Sequence, residues 1–171
     1  MVKPVHHIYA IALGSNQPRS HRLPPHELVR KAIKRLSRKP FTLLACSKPV
    51  ETLPLGPSRR RYTNAAILVK TRLDPPRLLK KLNKMEHKAG RQRRARKWAP
   101  RTLDLDIILW SGGIWAKDDL VIPHREFRGR DFVLRPLVQV APRWRDPLSG
   151  LSMRQLFARL QKSRRKTGKA G

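Results

Sequence analysis

Leu103-Asp104-Leu105-Asp106-Ile107-Ile108-Leu109-Trp110, residues 103–110, decides how this chain is read. Leu103, Leu105 and Ile107 alternate with Asp104 and Asp106, which is the period of a strand, where every second side chain points to the same face. The two aspartates therefore share one face, with β-carbons roughly 7 Å apart, and the apolar residues pack behind them. Like charges held that close repel, so something positive belongs between them. An ion pair with the abundant Arg and Lys is the commoner fate of a strand-borne carboxylate. The sharper reading is Mg²⁺, which prefers oxygen ligands, keeps several waters, and is held by one or two carboxylates plus substrate phosphates. The setting raises the odds of the second: a cationic run at 91–97 precedes the strand, and Arg101 lies three residues before Asp104. Carboxylates for a metal beside guanidiniums for phosphate oxygens are the equipment of phosphoryl-type transfer.

Size and composition set the outer limits. At 171 residues the chain reads as one domain over 1–160, followed by a basic tail at 161–171 expected to be disordered. An apolar content of 39% is that of a globular fold, and no apolar run approaches the ~20 residues of a membrane span. With no signal-peptide pattern, a soluble cytoplasmic monomer without membrane contact is expected. Cys46 is the only cysteine, which excludes an internal disulfide and a cysteine-rich zinc site; in its apolar run it reads as a buried, inert thiol. The formal charge is +29, from 40 Lys plus Arg against 11 acidic residues. Such a charge announces an anionic partner without saying which, ATP and nucleic acid included. Because it is spread along the chain, nucleic-acid binding is expected to be non-specific at most.

The remaining segments alternate between strand and helix. Residues 7–13 read as a buried strand ending in a Gly14-Ser15-Asn16 turn. Pro24-Pro25 can open a helix to about Lys39, with Leu28, Ala32, Ile33 and Leu36 as its apolar stripe. Residues 41–47 suggest a second strand, and 49–61, rich in Pro and Arg, a loop too irregular for regular structure and a candidate lid. A strand at 65–71 follows. Asp74 caps a second helix with Pro75-Pro76 in its first turn and Gly90 as its stop. Near the edge of its stripe, Glu86 is expected to pair with a Lys one turn away. Trp98 either stacks on a planar ligand or anchors its loop. His124, after a proline, could meet a phosphate oxygen or satisfy a turn, and the residues alone favour the turn. Residues 132–140 belong to the core, and 152–160 form a last amphipathic helix.

Several segments together resemble the hydroxymethyl-dihydropterin pyrophosphokinase family: 12–16, 52–57, 62–66, 98–108, 122–124 and 130–137, in family order over roughly residues 8–142. The resemblance implies an α+β, ferredoxin-like α/β sandwich, a mainly antiparallel sheet of four to six strands with helices packed on it. It implies transfer of pyrophosphate from ATP to 6-hydroxymethyl-7,8-dihydropterin, giving the pterin diphosphate and AMP. Asp104 and Asp106 match the ligands of two Mg²⁺ ions, and Arg91 and Arg101 the arginines that stabilise the transferring group. Thr52, Leu55, Tyr62, Asn64, Trp98 and Phe132 match the pterin pocket. Asn83, Glu86, Arg94, Ile107, His124 and Arg130 fall at nucleotide-contacting positions. Leu53, Arg125, Gln139 and the Arg59-Arg60-Arg61 run depart from the family pattern, and none of them is a metal ligand or a transfer arginine. A basic nucleic-acid-binding protein on a pyrophosphokinase-like scaffold is the alternative; the aspartate pair and the pterin-type residues would be useless to it.

Overall fold

The structure is a computed structural model that describes residues 5–20, 23–52, 61–90 and 102–167. Strands β1 (His7–Ser15), β2 (Thr42–Cys46), β3 (Val50–Thr52), β4 (Tyr62–Thr71) and β5 (Asp104–Trp110) make one antiparallel sheet. Its order is β2-β4-β1-β5, with β3 beside β4 on the β2 side. The chain order strand, α1 (Pro25–Leu36), strand, strand, α2 (Pro75–Lys88), strand with that sheet order is the ferredoxin-like plan. A small ribbon of β6 (Trp115–Lys117) and β7 (Leu120–Ile122) follows β5, then a 3-10 turn at Phe127–Gly129 and helices α3 (Asp131–Val140) and α4 (Met153–Thr167).

Helices cover both faces. Val29, Ala32 and Leu36 of α1 and Leu78 and Leu82 of α2 meet Tyr9, Ile11, Ile67, Leu105 and Ile107 in one core cluster. Val133, Leu134 and Leu137 of α3 and Met153 and Leu156 of α4 meet Ala10, Ala12, Ala66 and Ile108 on the other side. Short alanines on β1 and β4 let α3 approach closely, because a small side chain leaves the sheet surface flat there. Both early helices begin as their sequence predicts: prolines stand at their first positions, and the Asp74 carboxylate accepts from the Arg77 N–H at 3.0 Å.

Four local expectations are corrected. Residues 50–52, expected in an irregular loop, are strand β3, since Val50, Glu51 and Thr52 pair with Asn64, Thr63 and Tyr62. The expected turn at Gly14-Ser15 is strand, because β1 stays paired with both neighbours to its end. Cys46 is exposed: β2 is an edge strand whose outward row is Thr42, Leu44 and Cys46. Shielding by neighbouring chain still raises the thiol pKa, so the sulfur stays protonated and a weak nucleophile. Finally α4 continues to Thr167, so residues 161–167 of the expected disordered tail are helical. Gln161 donates to Asp131, and Arg164 lies 3.6 Å from the same carboxylate, which ties that stretch to α3.

Candidate active site

Strand pairing builds the site. Residues directly opposite each other in an antiparallel ladder lie on the same face. Asp106 is opposite Ala12, which is opposite Ala66; Asp104 is opposite Gly14, which is opposite Asn64, which is opposite Val50. Thr52 and Tyr62 form the next pair of the same row. Asp104, Asp106, Asn64, Thr52 and Tyr62 thus share the face covered by α3, while Leu103, Leu105 and Ile107 are buried on the other side. The period-2 reading of β5 holds for those residues.

The glycine between the strands has a clear use. A Cβ on Gly14 would stand 3.3 Å from the Asn64 Oδ1, so any side chain there presses on the amide. Asn64 is buried, and its Nδ2 donates to Thr52 Oγ1 at 2.9 Å. The amide is therefore held through its Nδ2 by Thr52, while Gly14 leaves room at its Oδ1, with donor and acceptor capacity left over for a ligand edge. Phe132, at the start of α3, packs against the same-face cluster, and the Arg130 guanidinium stands 5.9 Å from its ring centre while also bonding Glu126.

His124 reaches the site from the segment after β7. Its backbone N–H donates to the Ile108 carbonyl, fixing it on the outer edge of β5. Its Nδ1 accepts from the Glu126 N–H at 3.3 Å, and Nε2 lies 4.0 Å from Asp106 Oδ2. With Nδ1 used as an acceptor, a neutral ring carries its proton on Nε2, facing the carboxylate. The turn and the site are therefore both served by one side chain.

Three nucleotide candidates lie elsewhere. Ile107 belongs to the core against α1 and α2, so its side chain is not available to a ligand. Asn83 is exposed on α2, across the sheet from the aspartates. Glu86 does not make the expected helical Lys pair its main contact: it is 4% exposed, and its Oε1 accepts from the Leu105 N–H at 2.7 Å. β5 is the last strand of its sheet, and a carboxylate satisfies a backbone donor that no further strand can. Glu86 so pins the residue between the two aspartates. Leu55, Arg91, Arg94, Trp98 and Arg101, with residues 53–60 of the lid expected at 49–61 and the cationic run at 91–97, lie outside the described residues.

Two contacts that the sequence did not signal support the same end of the sheet. Ser15 Oγ donates to the Thr102 carbonyl at 2.5 Å, joining the end of β1 to the residues just before Asp104. Gln139 of α3 accepts from the Lys48 N–H at 3.0 Å, holding the link between β2 and β3. Among the described residues no group of three or more His, Cys, Asp and Glu could cage a metal. Two neighbouring carboxylates suit a hard cation that takes its other oxygens from water and phosphate, and they do not suit one that needs a complete protein shell.

A family model described as 7,8-dihydro-6-hydroxymethylpterin-pyrophosphokinase (HPPK) matches residues 10–142. The chain belongs to this family. Its curated HPPK relatives include the 2-amino-4-hydroxy-6-hydroxymethyldihydropteridine pyrophosphokinases of Haemophilus influenzae, 39% identical over 77% of this chain and 79% of the relative, and of Pseudomonas aeruginosa, 37% identical over 86% and 88%. The Synechocystis HPPK is 41% identical over 66% of this chain, which spans 57% of that relative's length. Among solved structures, the fold matches Plasmodium falciparum HPPK-DHPS crystallised with pteroate, with a TM-score of 0.73 at 14% identity. That match covers 97% of this chain and 44% of the larger one. The HPPK region at 10–142 runs from β1 through α3, and so includes all the strands and side chains assembled above.

Proposed function

We propose that this chain transfers the β,γ-pyrophosphoryl group of ATP to the hydroxyl of 6-hydroxymethyl-7,8-dihydropterin, releasing AMP. The observation that carries the reading is the row Asp104–Gly14–Asn64, with Thr52 and Tyr62 beside it, inside a chain that belongs to the HPPK family. Asp104 and Asn64 are two strand spacings apart, about 10 Å. A bicyclic ring with a hydroxymethyl arm fills that span, so an amide reading the ring and a carboxylate facing phosphates can serve one transfer.

Each group has a physical task. Asn64 recognises the ring edge, with Thr52 holding its amide and Gly14 leaving it room. Tyr62 and Phe132 offer aromatic faces to the pterin, and family likeness assigns Leu55 and Trp98 to the same ligand. Asp104 and Asp106 would hold Mg²⁺, two ions by family likeness, and the metal supplies positive charge at the phosphate oxygens. His124 and Arg130 approach the phosphates from the β7–α3 side, with Arg94 assigned to the nucleotide by family likeness. The substrate oxygen forms a bond to the β-phosphorus as the bond from that phosphorus to the bridging oxygen breaks; AMP leaves with the electron pair and the hydroxyl proton passes to solvent. Charge develops on the bridging and equatorial oxygens, where Arg91 and Arg101 offset it. Positioning supplies most of the remaining acceleration, and no side chain need be a strong base. A cytoplasmic monomer is the form we assign; no helix among the described residues is long and apolar enough to cross a membrane.

The test is product analysis. With ATP carrying label in its β-phosphate, the label should appear in a pterin diphosphate, with one AMP formed per product molecule. Labelled ADP, or AMP without a pterin product, would refute the proposal.

A further inference from the structure

On the face of the sheet away from the aspartates, α1 and α2 enclose a cavity of about 660 Å³. Its floor is apolar: Leu28 and Ala32 of α1, Met85 and Ala89 at the end of α2, and Leu73 and Leu103. Its walls are cationic, with Lys31 and Arg35 from α1 facing Arg77, Lys80, Lys84 and Lys88 from α2. Arg19 closes one end, its guanidinium donating to the Lys88 carbonyl at 2.7 Å. Among the described residues no carboxylate lines the groove. The acids on or capping the two helices are engaged elsewhere: Glu27 with Arg30, Asp74 with the Arg77 N–H and side chain, and Glu86 with the Leu105 N–H. Among the described residues, Lys31, Arg35, Lys80 and Lys84 have no ion pair within 4.0 Å.

This groove is separate from the pterin and nucleotide site. Glu86 projects from α2 roughly 160° around the helix from Lys84, and the aspartates lie beyond the sheet. Like charges lined up along two facing helices repel each other, and in water they gain nothing from one another. A strand of phosphates would relieve that repulsion.

We infer that the α1–α2 groove binds a single nucleic-acid strand through its sugar-phosphate backbone. On α2 the cations recur at i, i+3, i+4, i+7 and i+11 (Arg77, Lys80, Lys81, Lys84 and Lys88), a continuous stripe about 16 Å long. A duplex hides its apolar faces, whereas a single strand can lay sugars and bases on the Leu28–Met85 floor. Among the described residues that line the groove none is aromatic, so contact is made through phosphates and sugars, and binding is independent of sequence and steep in salt. The groove also gives a local use to a charge excess that pyrophosphoryl transfer does not require.

The experiment is fluorescence anisotropy of a labelled twelve-nucleotide oligouridylate with the full chain across a salt series. The wild type should bind. Triple neutralisation of the groove (Arg35→Gln, Lys80→Gln, Lys84→Gln) should weaken binding by at least about tenfold near 0.1 M salt and reduce the log–log salt slope by about 2. The same number of exposed charges removed from α4 (Arg154→Gln, Arg159→Gln, Lys162→Gln) should cost under about threefold, since those charges face away from the groove. The single variant Lys84→Gln should lower the slope by about 0.7. AMP formation by all variants should equal wild type, which confirms folding and separates this groove from the catalytic reading. Equal losses in the two triple variants, no binding by wild type, or displacement of the oligouridylate by polyglutamate at equal charge would overturn the inference.

Discussion

Thr52→Val removes one oxygen and almost no volume, and it should lower pterin affinity through a residue other than itself. In the folded chain the Thr52 hydroxyl accepts from Asn64 Nδ2 at 2.9 Å, and Asn64 is 4% exposed. Valine keeps the branched shape but leaves a buried amide donor without its acceptor, a loss of about 1–3 kcal/mol. Part of this appears as reduced stability. The rest appears in binding, because a freed amide must be re-ordered when the pterin arrives. If the whole cost fell on binding, the KM for the pterin would rise about 5- to 150-fold. The KM for ATP should stay within about threefold, since the phosphates are held from Asp104 and beyond. Steady-state kinetics with each substrate varied in turn, beside urea unfolding of both proteins, separates the two shares. A stability loss of the expected size with an unchanged pterin KM would show that Asn64 does not face the substrate, and would refute the reasoning.

Other outcomes follow from the same contacts. Gly14→Ala places a methyl 3.3 Å from Asn64 Oδ1 and should raise the pterin KM severalfold with little change in thermal midpoint; an unchanged KM would mean the amide yields without consequence. Glu86→Ala strips the Leu105 N–H of its acceptor and should cost about 1.5–3 kcal/mol in denaturant unfolding, with Glu86→Gln recovering part of it. Arg128→Met leaves the fully buried Asp146 without its cation and should cost about 3–5 kcal/mol. Burial would raise the Asp146 carboxyl, but hydrogen bonds from Arg128 and Ser149 outweigh it and hold the group at about 2. A carboxyl depressed in the folded state stabilises above its unfolded value near 4, by about 2 kcal/mol. That contribution should fade as pH drops from about 4 towards 2, and Arg128→Met should remove this step from the stability profile.

What the sequence made legible is what local periodicity encodes. Alternation from Leu103 to Ile107 placed the aspartates on one face of β5, and prolines with apolar stripes located α1 and α2. Other features depend on partners far away along the chain. Three residues among prolines and arginines cannot announce that Val50–Thr52 will pair with β4, yet Thr52 orients Asn64 from there. Glu86 looks like a surface helical acid until β5 proves to be an edge strand with a backbone donor to satisfy. Gly14 resembles a turn glycine, and its need to be glycine arises only from the amide on the neighbouring strand. Cys46 sits in an apolar run, but β2 turns alternate residues of that run outwards. The cationic groove needs α1 and α2 side by side, which neither helix states alone.

The central claim is that Asp104 and Asp106 together carry the nucleotide's metal on one strand face, and turnover by Asp106→Asn tests it most directly. The substitution keeps the shape and removes the charge, so circular dichroism and the thermal midpoint should match wild type. AMP release from ATP with the hydroxymethyl-dihydropterin and Mg²⁺ should fall by about a thousandfold or more, the scale of losing one charge-stabilising group in phosphoryl transfer. A variant that folds normally and releases AMP at the wild-type rate would contradict the account.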